Sequence, residues 1–154
     1  MQIAISAAPA AIPSHVIAGG QGYVSFAGDE DKLTPLADKP LIEAAKSADK
    51  DALRALLKQG AKVNATEADG ATALHWASYR DDLESANLLI RAGARVNAAN
   101  DLGATPLWTA SLNGSGSMVR RLLQAEADPN LALLRGETPL MVASRSGNPD
   151  VVEQ

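Results

Sequence analysis

Apolar residues from residue 41 onward recur every three or four positions, the spacing that places them on one face of a helix. One helix is predicted from the spacing of Leu83, Ala86, Leu89 and Ile90. Asp82 precedes it as an N-cap, and Gly93 follows where a left-handed residue ends a helix. A shorter helix, over about residues 73–80, comes just before it. The pattern therefore predicts two short helices joined by a tight turn.

The predicted helix pair recurs along the chain with a period of 33 residues. The columns that carry the period are Leu41, Leu74, Leu107 and Leu140; Ala44, Ala77, Ala110 and Ala143; Asn64, Asn97 and Asn130; and Gly70, Gly103 and Gly136. Alanine fits a position where neighbouring first helices approach closely, because a larger side chain would push them apart. Helices this short are marginal alone in water, so each pair needs the next pair to cover its apolar side. The sequence therefore predicts a stack.

A short motif opens three of the repeats. Thr-Pro-Leu begins at Thr105 and again at Thr138, and Thr-Ala-Leu-His begins at Thr72. Threonine followed by proline caps a helix and starts its first turn. With its 33-residue period, this motif resembles the signature of ankyrin repeats. The resemblance spans residues 38–154 and implies an all-α solenoid of about four helix-turn-helix repeats with projecting β-hairpin loops.

The domain organisation follows from composition and repeat phase. Residues 1–37 are predicted to be a disordered leader and linker, because their glycines and acidic cluster bury too little apolar surface to offset the cost of ordering. The four predicted repeats span residues 38–68, 69–101, 102–134 and 135–154. The first is predicted to be an N-terminal cap, because it carries Lys46, Asp49, Lys50 and Asp51 at positions expected to be exposed. The last repeat stops at Gln154 before its second helix is complete, so we expect a fragment or a truncated sequence.

Composition limits the classes of partner. A net charge of −4 and a pI near 5.1 give no electrostatic reason to expect nucleic acid. No run of about eighteen apolar residues exists, so membrane insertion is not expected. The apolar start Met1 to Ile12 has no basic residue before Lys32, which favours a cytoplasmic protein over an exported one with a degraded signal. We expect a monomer.

Candidate catalytic and metal-binding chemistry is sparse. The chain has no cysteine, and of its two histidines His15 lies in the predicted leader. His75 could form a metal site with Asp81, Asp82 or Glu84, but it stands in the repeat motif, where the resemblance implies local hydrogen bonding near the helix start. We therefore predict no catalytic residues, no metal and no cofactor, and a protein that is not an enzyme.

The resemblance implies a scaffold that binds a protein partner through the concave face of the repeat stack. The two columns that follow the alanine column and the serine after it differ in residue type from repeat to repeat, whereas the neighbouring columns are uniform. This variation indicates solvent exposure. The candidate partner-binding residues are Tyr79, Arg80, Leu112, Asn113 and Arg145 on the first helices, and Asp69, Asp101, Leu102 and Arg135 on the hairpins. Two alternatives stay open: the substrate-recruiting arm of a larger enzyme that continues beyond residue 154, and a structural spacer.

Three further interpretations concern single residue types. The two tryptophans, Trp76 and Trp108, fall on first helices and are interpreted as core or inter-repeat residues. The asparagine column is expected to bond the local backbone of its own hairpin. Glu126 replaces the glycine found at Gly60 and Gly93, which predicts a looser third hairpin.

Overall fold

The computed structural model describes residues 39–154, and the predicted leader and linker lie outside these residues. Eight α-helices make up the described chain: α1 (Lys39–Ser47), α2 (Lys50–Lys58), α3 (Ala73–Tyr79), α4 (Leu83–Arg91), α5 (Pro106–Leu112), α6 (Gly116–Gln124), α7 (Pro139–Ser146) and α8 (Pro149–Val152). They form four pairs, each a first helix followed closely by a second. The helical class and the pairing predicted from the 33-residue period are confirmed.

Polar side chains fix where the helices begin. Thr105 precedes α5, and its Oγ1 accepts a hydrogen bond from the backbone N–H of Trp108 at 3.2 Å. Asp82 precedes α4, and its Oδ1 accepts from the N–H of Ser85 at 3.1 Å. Each cap satisfies one of the backbone donors that a helix leaves unpaired at its N-terminus. The short helices therefore start at the positions that the sequence predicts.

The third repeat keeps the backbone of its neighbours although Glu126 has replaced glycine. Its φ is +66°, in the left-handed region that Gly60 and Gly93 adopt at φ +81° and +89°. The N–H of Glu126 still bonds the carbonyl of Leu123 at 3.0 Å. A non-glycine residue in this region carries a backbone cost of about 1 kcal/mol or more. The substitution thus shows as strain at one residue rather than as a changed turn.

Two layers of helices form the stack. The first helices α1, α3, α5 and α7 pack in chain order in one layer, and the second helices α2, α4, α6 and α8 in the other. The alanine column lies between the first helices and is at most 5% exposed throughout. This burial agrees with the packing role predicted for Ala44, Ala77, Ala110 and Ala143.

The leucine column shows how burial depends on a neighbouring repeat. Leu41, Leu74 and Leu107 are at most 2% exposed, whereas Leu140 is 56% exposed. Each of the first three lies on a first helix that packs against the next first helix, and α7 has no such helix after it in the described chain. The same residue type at the same repeat position is therefore core in three copies and surface in the fourth.

The segments predicted to be projecting β-hairpins are tight turns with little strand character. Residues 39–154 contain one isolated antiparallel bridge, between Thr66 and Thr72. Neighbouring turns are joined through the backbone, because the N–H of Asp101 bonds the carbonyl of Asp69 at 2.9 Å and the N–H of Leu134 bonds that of Leu102 at 3.0 Å. The turns thus run across the repeats as a connected edge of the stack.

Two members of the asparagine column, Asn64 and Asn97, bond the next repeat, so the prediction that the column bonds its own hairpin is wrong for them. Asn130 instead donates to the carboxylate of Asp128 in its own turn. Asn64 donates from Nδ2 to the carbonyl of Gly93 at 3.1 Å and accepts at Oδ1 from the N–H of Arg95 at 2.7 Å. Asn97 repeats the arrangement with Glu126 and Asp128. An amide carries both a donor and an acceptor, so one side chain satisfies two backbone groups at the end of the next second helix. Asn64 and Asn97 therefore join repeats.

Candidate functional site

The residues predicted to bind a partner lie at the ends of the first helices and on the turns, and all of them are exposed. Tyr79 and Leu112 are the last residues of α3 and α5, Arg80 and Asn113 directly follow them, and Arg145 lies in α7. Tyr79 is 58% exposed and Leu112 is 52% exposed. We call these five residues the helix-end row. The exposure of all five side chains separates this row from the buried alanine column close to it.

The turn residues predicted for the same surface are also exposed, and they share the connected edge described above. Asp69 and Asp101 meet through a backbone hydrogen bond, and Leu102 is 67% exposed. The carboxylate of Asp69 accepts from the N–H of Ala71 at 3.0 Å, so it also shapes its own turn. Arg135 is exposed on the third turn. These side chains therefore form the second exposed set of the predicted surface.

Two members of the helix-end row make contacts within the chain. Asn113 donates from Nδ2 to the carbonyl of Tyr79 at 2.6 Å and to that of Ser78 at 3.2 Å, which ties the end of α3 to the end of α5. The guanidinium of Arg145 forms an ion pair with Glu137. Tyr79 and Arg80 have no such side-chain hydrogen bond or ion pair in the described part of the chain. In the row, Asn113 thus holds the backbone at the end of α3 and Arg145 is paired with a carboxylate, whereas Tyr79, Arg80 and Leu112 are exposed to a partner.

A cluster beside Tyr79 was missed by sequence reasoning. It consists of Trp76 and Tyr79 on α3, Lys46 on α1, and Glu67 in the segment between α2 and α3, and we call it the aromatic cluster. The indole N–H of Trp76 donates to Glu67 at 2.7 Å, and the ammonium of Lys46 lies 4.8 Å from the centre of the Trp76 ring. Lys46 also pairs with Glu67 at 2.5 Å. The Tyr79 ring meets the Trp76 ring edge-on, with centroids 5.9 Å apart.

The aromatic cluster crosses a repeat boundary, which is why single columns do not show it. Lys46 stands in the same repeat column as Tyr79, and Glu43 in the same column as Trp76. Lys46 therefore contacts a residue that belongs to a different column of the next repeat. The hydrogen bond to Glu67 raises the pKa of Lys46 above its ordinary value, which keeps the ammonium charged over the ring. Lys46 was predicted to be an exposed residue of a cap, whereas it is half-buried. Comparing residues one turn apart in adjacent repeats would have indicated the pair.

His75 is a structural residue with both ring nitrogens occupied. Its Nδ1 accepts from the backbone N–H of Thr72 at 3.1 Å, so the proton must lie on Nε2, which donates to the carbonyl of Ala104 at 3.0 Å. The first bond is the local one that the repeat motif implies, and the second reaches the next repeat. His75 is 5% exposed, and residues 39–154 hold no group of three potential metal ligands. Its geometry is that of an inter-repeat bridge.

Acidification should weaken the fold through His75. Burial lowers the pKa of His75 below its ordinary value of 6.5, so the unfolded chain binds a proton that the folded chain excludes. The stability that the neutral ring contributes is complete above this unfolded-state value and is lost as pH falls from it toward the folded-state pKa. Melting temperatures recorded between about pH 8 and pH 5 should fall more steeply for the wild type than for His75→Asn. Equal pH dependence of the melting temperature in the two proteins would contradict this assignment. His15 is present in both proteins, so its titration does not affect the difference between them.

The described helices are too short and too polar to cross a membrane. The residues predicted to bind a partner lie exposed in the helix-end row and on the turn edge. Stacked helix pairs with exposed helix ends and turns define a helical-repeat protein.

The comparison with known families agrees with this architecture. The family described as ankyrin repeats (3 copies) matches residues 23–100 and 80–154. The two matches together span most of the sequence, and the chain belongs to the ankyrin-repeat family. Ankyrin repeats generally serve as protein-protein interaction modules, and the proteins that carry them are typically non-enzymatic scaffolds. The comparison with curated proteins gives no match.

Proposed function

We propose that this chain is a scaffold that binds a protein partner through the concave face of the stack, formed by the helix-end row and the exposed turns. The observation that supports the proposal is the exposure of Tyr79 and Leu112 at a single repeat column, close to the buried alanine column. The stack does not need these two side chains for its core. Tyrosine and arginine are the residue types most often found as binding hot spots, and Tyr79 and Arg80 are adjacent.

Hydrogen bonds between repeats hold the backbone of this surface, which favours binding. Asn113 holds the carbonyls of Ser78 and Tyr79, and the backbone bond between Asp101 and Asp69 joins two turns. A surface that is already ordered loses less entropy on association than a flexible one. The expected partner is a protein, bound without a cofactor by a monomer of this chain.

The double variant Tyr79→Ala/Arg80→Ala should weaken the partner complex by more than about 1 kcal/mol, which is roughly a fivefold or larger rise in Kd. The reason is the loss of two exposed contact residues that the core does not use. The partner is first captured with the intact protein, and Kd is then measured by titration calorimetry. The melting temperature of the double variant should stay close to that of the wild type.

The matched control is Arg91→Ala/Gln124→Ala, which truncates two exposed residues on the second-helix layer. This variant should bind with wild-type affinity, because its substitutions lie on the other layer of the stack. Equal affinity for both double variants would place the partner site elsewhere, and a weakened control would point to the second helices.

A further inference from the structure

The aromatic cluster leaves one face of α3 apolar and neutral at the surface. Glu67 is occupied twice, by the Trp76 indole and by Lys46, and the Lys46 ammonium also contacts Glu43 at 3.3 Å. The charges of Lys46, Glu43 and Glu67 are therefore paired with each other. What remains for a partner is the Tyr79 side chain, which is 58% exposed and meets the half-buried Trp76 ring edge-on. Such a site fits an apolar side chain.

Arg80, the next residue, has no ion-pair partner within residues 39–154, the part of the chain that the structure describes. The carboxylates closest to it in sequence are engaged, because Asp82 accepts from both the N–H and the hydroxyl of Ser85 and Asp81 accepts from the hydroxyl of Ser115. Arg145, two repeats further along the chain, is by contrast paired with Glu137. A planar guanidinium forms two parallel hydrogen bonds with a carboxylate, so Arg80 is suited to bind one supplied from outside.

We infer that the partner presents a polypeptide segment in which an apolar side chain stands next to an aspartate or glutamate. The apolar side chain packs on Tyr79 and Trp76, and the carboxylate pairs with Arg80. Tyr79 ends α3 and Arg80 follows it directly, and both are exposed, so one segment that crosses the end of α3 reaches both side chains. This inference rests on the proposed function and names the chemistry of its partner. The net charge of −4 gives no electrostatic reason for the chain to bind a phosphate backbone, so a protein carboxylate is the partner group expected at Arg80.

The experiment is a selection from a randomised peptide display library on the full chain. Wild type should enrich peptides in which Asp or Glu adjoins a large apolar residue. Arg80→Glu should reverse the charge preference, so that Lys or Arg replaces the acidic residue in the enriched set. Arg80→Gln should remove the charge preference while apolar enrichment stays. Tyr79→Ala should weaken representative selected peptides by about tenfold. Arg91→Glu, a charge reversal at an exposed site on α4, is the control and should select like the wild type.

Reversal of charge preference supports the inference, because a residue with a structural role alone would not exchange acidic for basic partners. An acidic preference that persists in Arg80→Glu overturns it, as does a wild-type selection without acidic residues or without enriched peptides. Melting curves for each variant show that the comparison is between folded proteins. If the selection fails while Tyr79→Ala/Arg80→Ala still weakens the captured protein partner, the partner chemistry is wrong and protein binding by this row stands.

Discussion

Leu107→Ala should lower the free energy of unfolding by about 2–5 kcal/mol. Leu107 is 2% exposed on α5, which packs against α3 on one side and α7 on the other. Truncation removes three carbons from a site that two neighbouring repeats enclose, so the lost burial and the cavity left behind add together. Chemical denaturation followed by circular dichroism measures the change, and a denaturation midpoint equal to that of the wild type would contradict the assignment.

Leu140→Ala is the matched control for this prediction. It makes the same chemical change at the same repeat position, but Leu140 is 56% exposed. A surface substitution away from caps and networks usually changes stability by no more than about 0.5 kcal/mol. The expected difference between the two variants is therefore a direct measure of how much the covering repeat contributes. Equal losses would show that burial between repeats is not what stabilises the leucine column.

Ala110→Leu should lower the free energy of unfolding by about 1–3 kcal/mol, because the added carbons have no room between the first helices. Ala110 is fully buried, and α5 contacts first helices on both of its sides. Thermal and chemical denaturation both report the loss. Leucine favours helices almost as strongly as alanine does, so helix propensity does not account for an effect of this size.

Ala55→Leu provides the comparison for the alanine column. Ala55 is exposed on α2, where the longer side chain extends into solvent. This variant should differ from the wild type by no more than about 0.5 kcal/mol. A tolerated Ala110→Leu would mean that the first helices are not in close contact at this column, and the packing interpretation of the repeat would fail.

The helices could be predicted from the sequence because their signals are local. Thr105 and Asp82 cap helices through bonds to residues three positions away, and Gly93 ends one through its own φ of +89°. Such features depend on a few consecutive residues and recur with the period. The buried alanine column was also predictable, since a repeated small residue at one phase marks a close approach.

Features that join two repeats were predicted poorly. Asn64 bonds residues about thirty positions later, and its type alone is equally consistent with a local turn. The contact of Lys46 with Trp76 depends on the relative position of two packed first helices, which cannot be predicted from the sequence of either helix. The exposure of Leu140 depends on the absence of a packed neighbour in the described chain rather than on the residue. These outcomes are properties of the assembled stack.

The most direct test of partner binding is site-specific photo-crosslinking from the intact protein in its own cells. A photo-reactive phenylalanine analogue replaces Tyr79 in one variant and Arg91 in another, since the first lies in the helix-end row and the second is exposed on the second-helix layer. The proposed function predicts a covalent adduct with a discrete protein from position 79 and none from position 91. An adduct from position 91 with none from position 79 would contradict it.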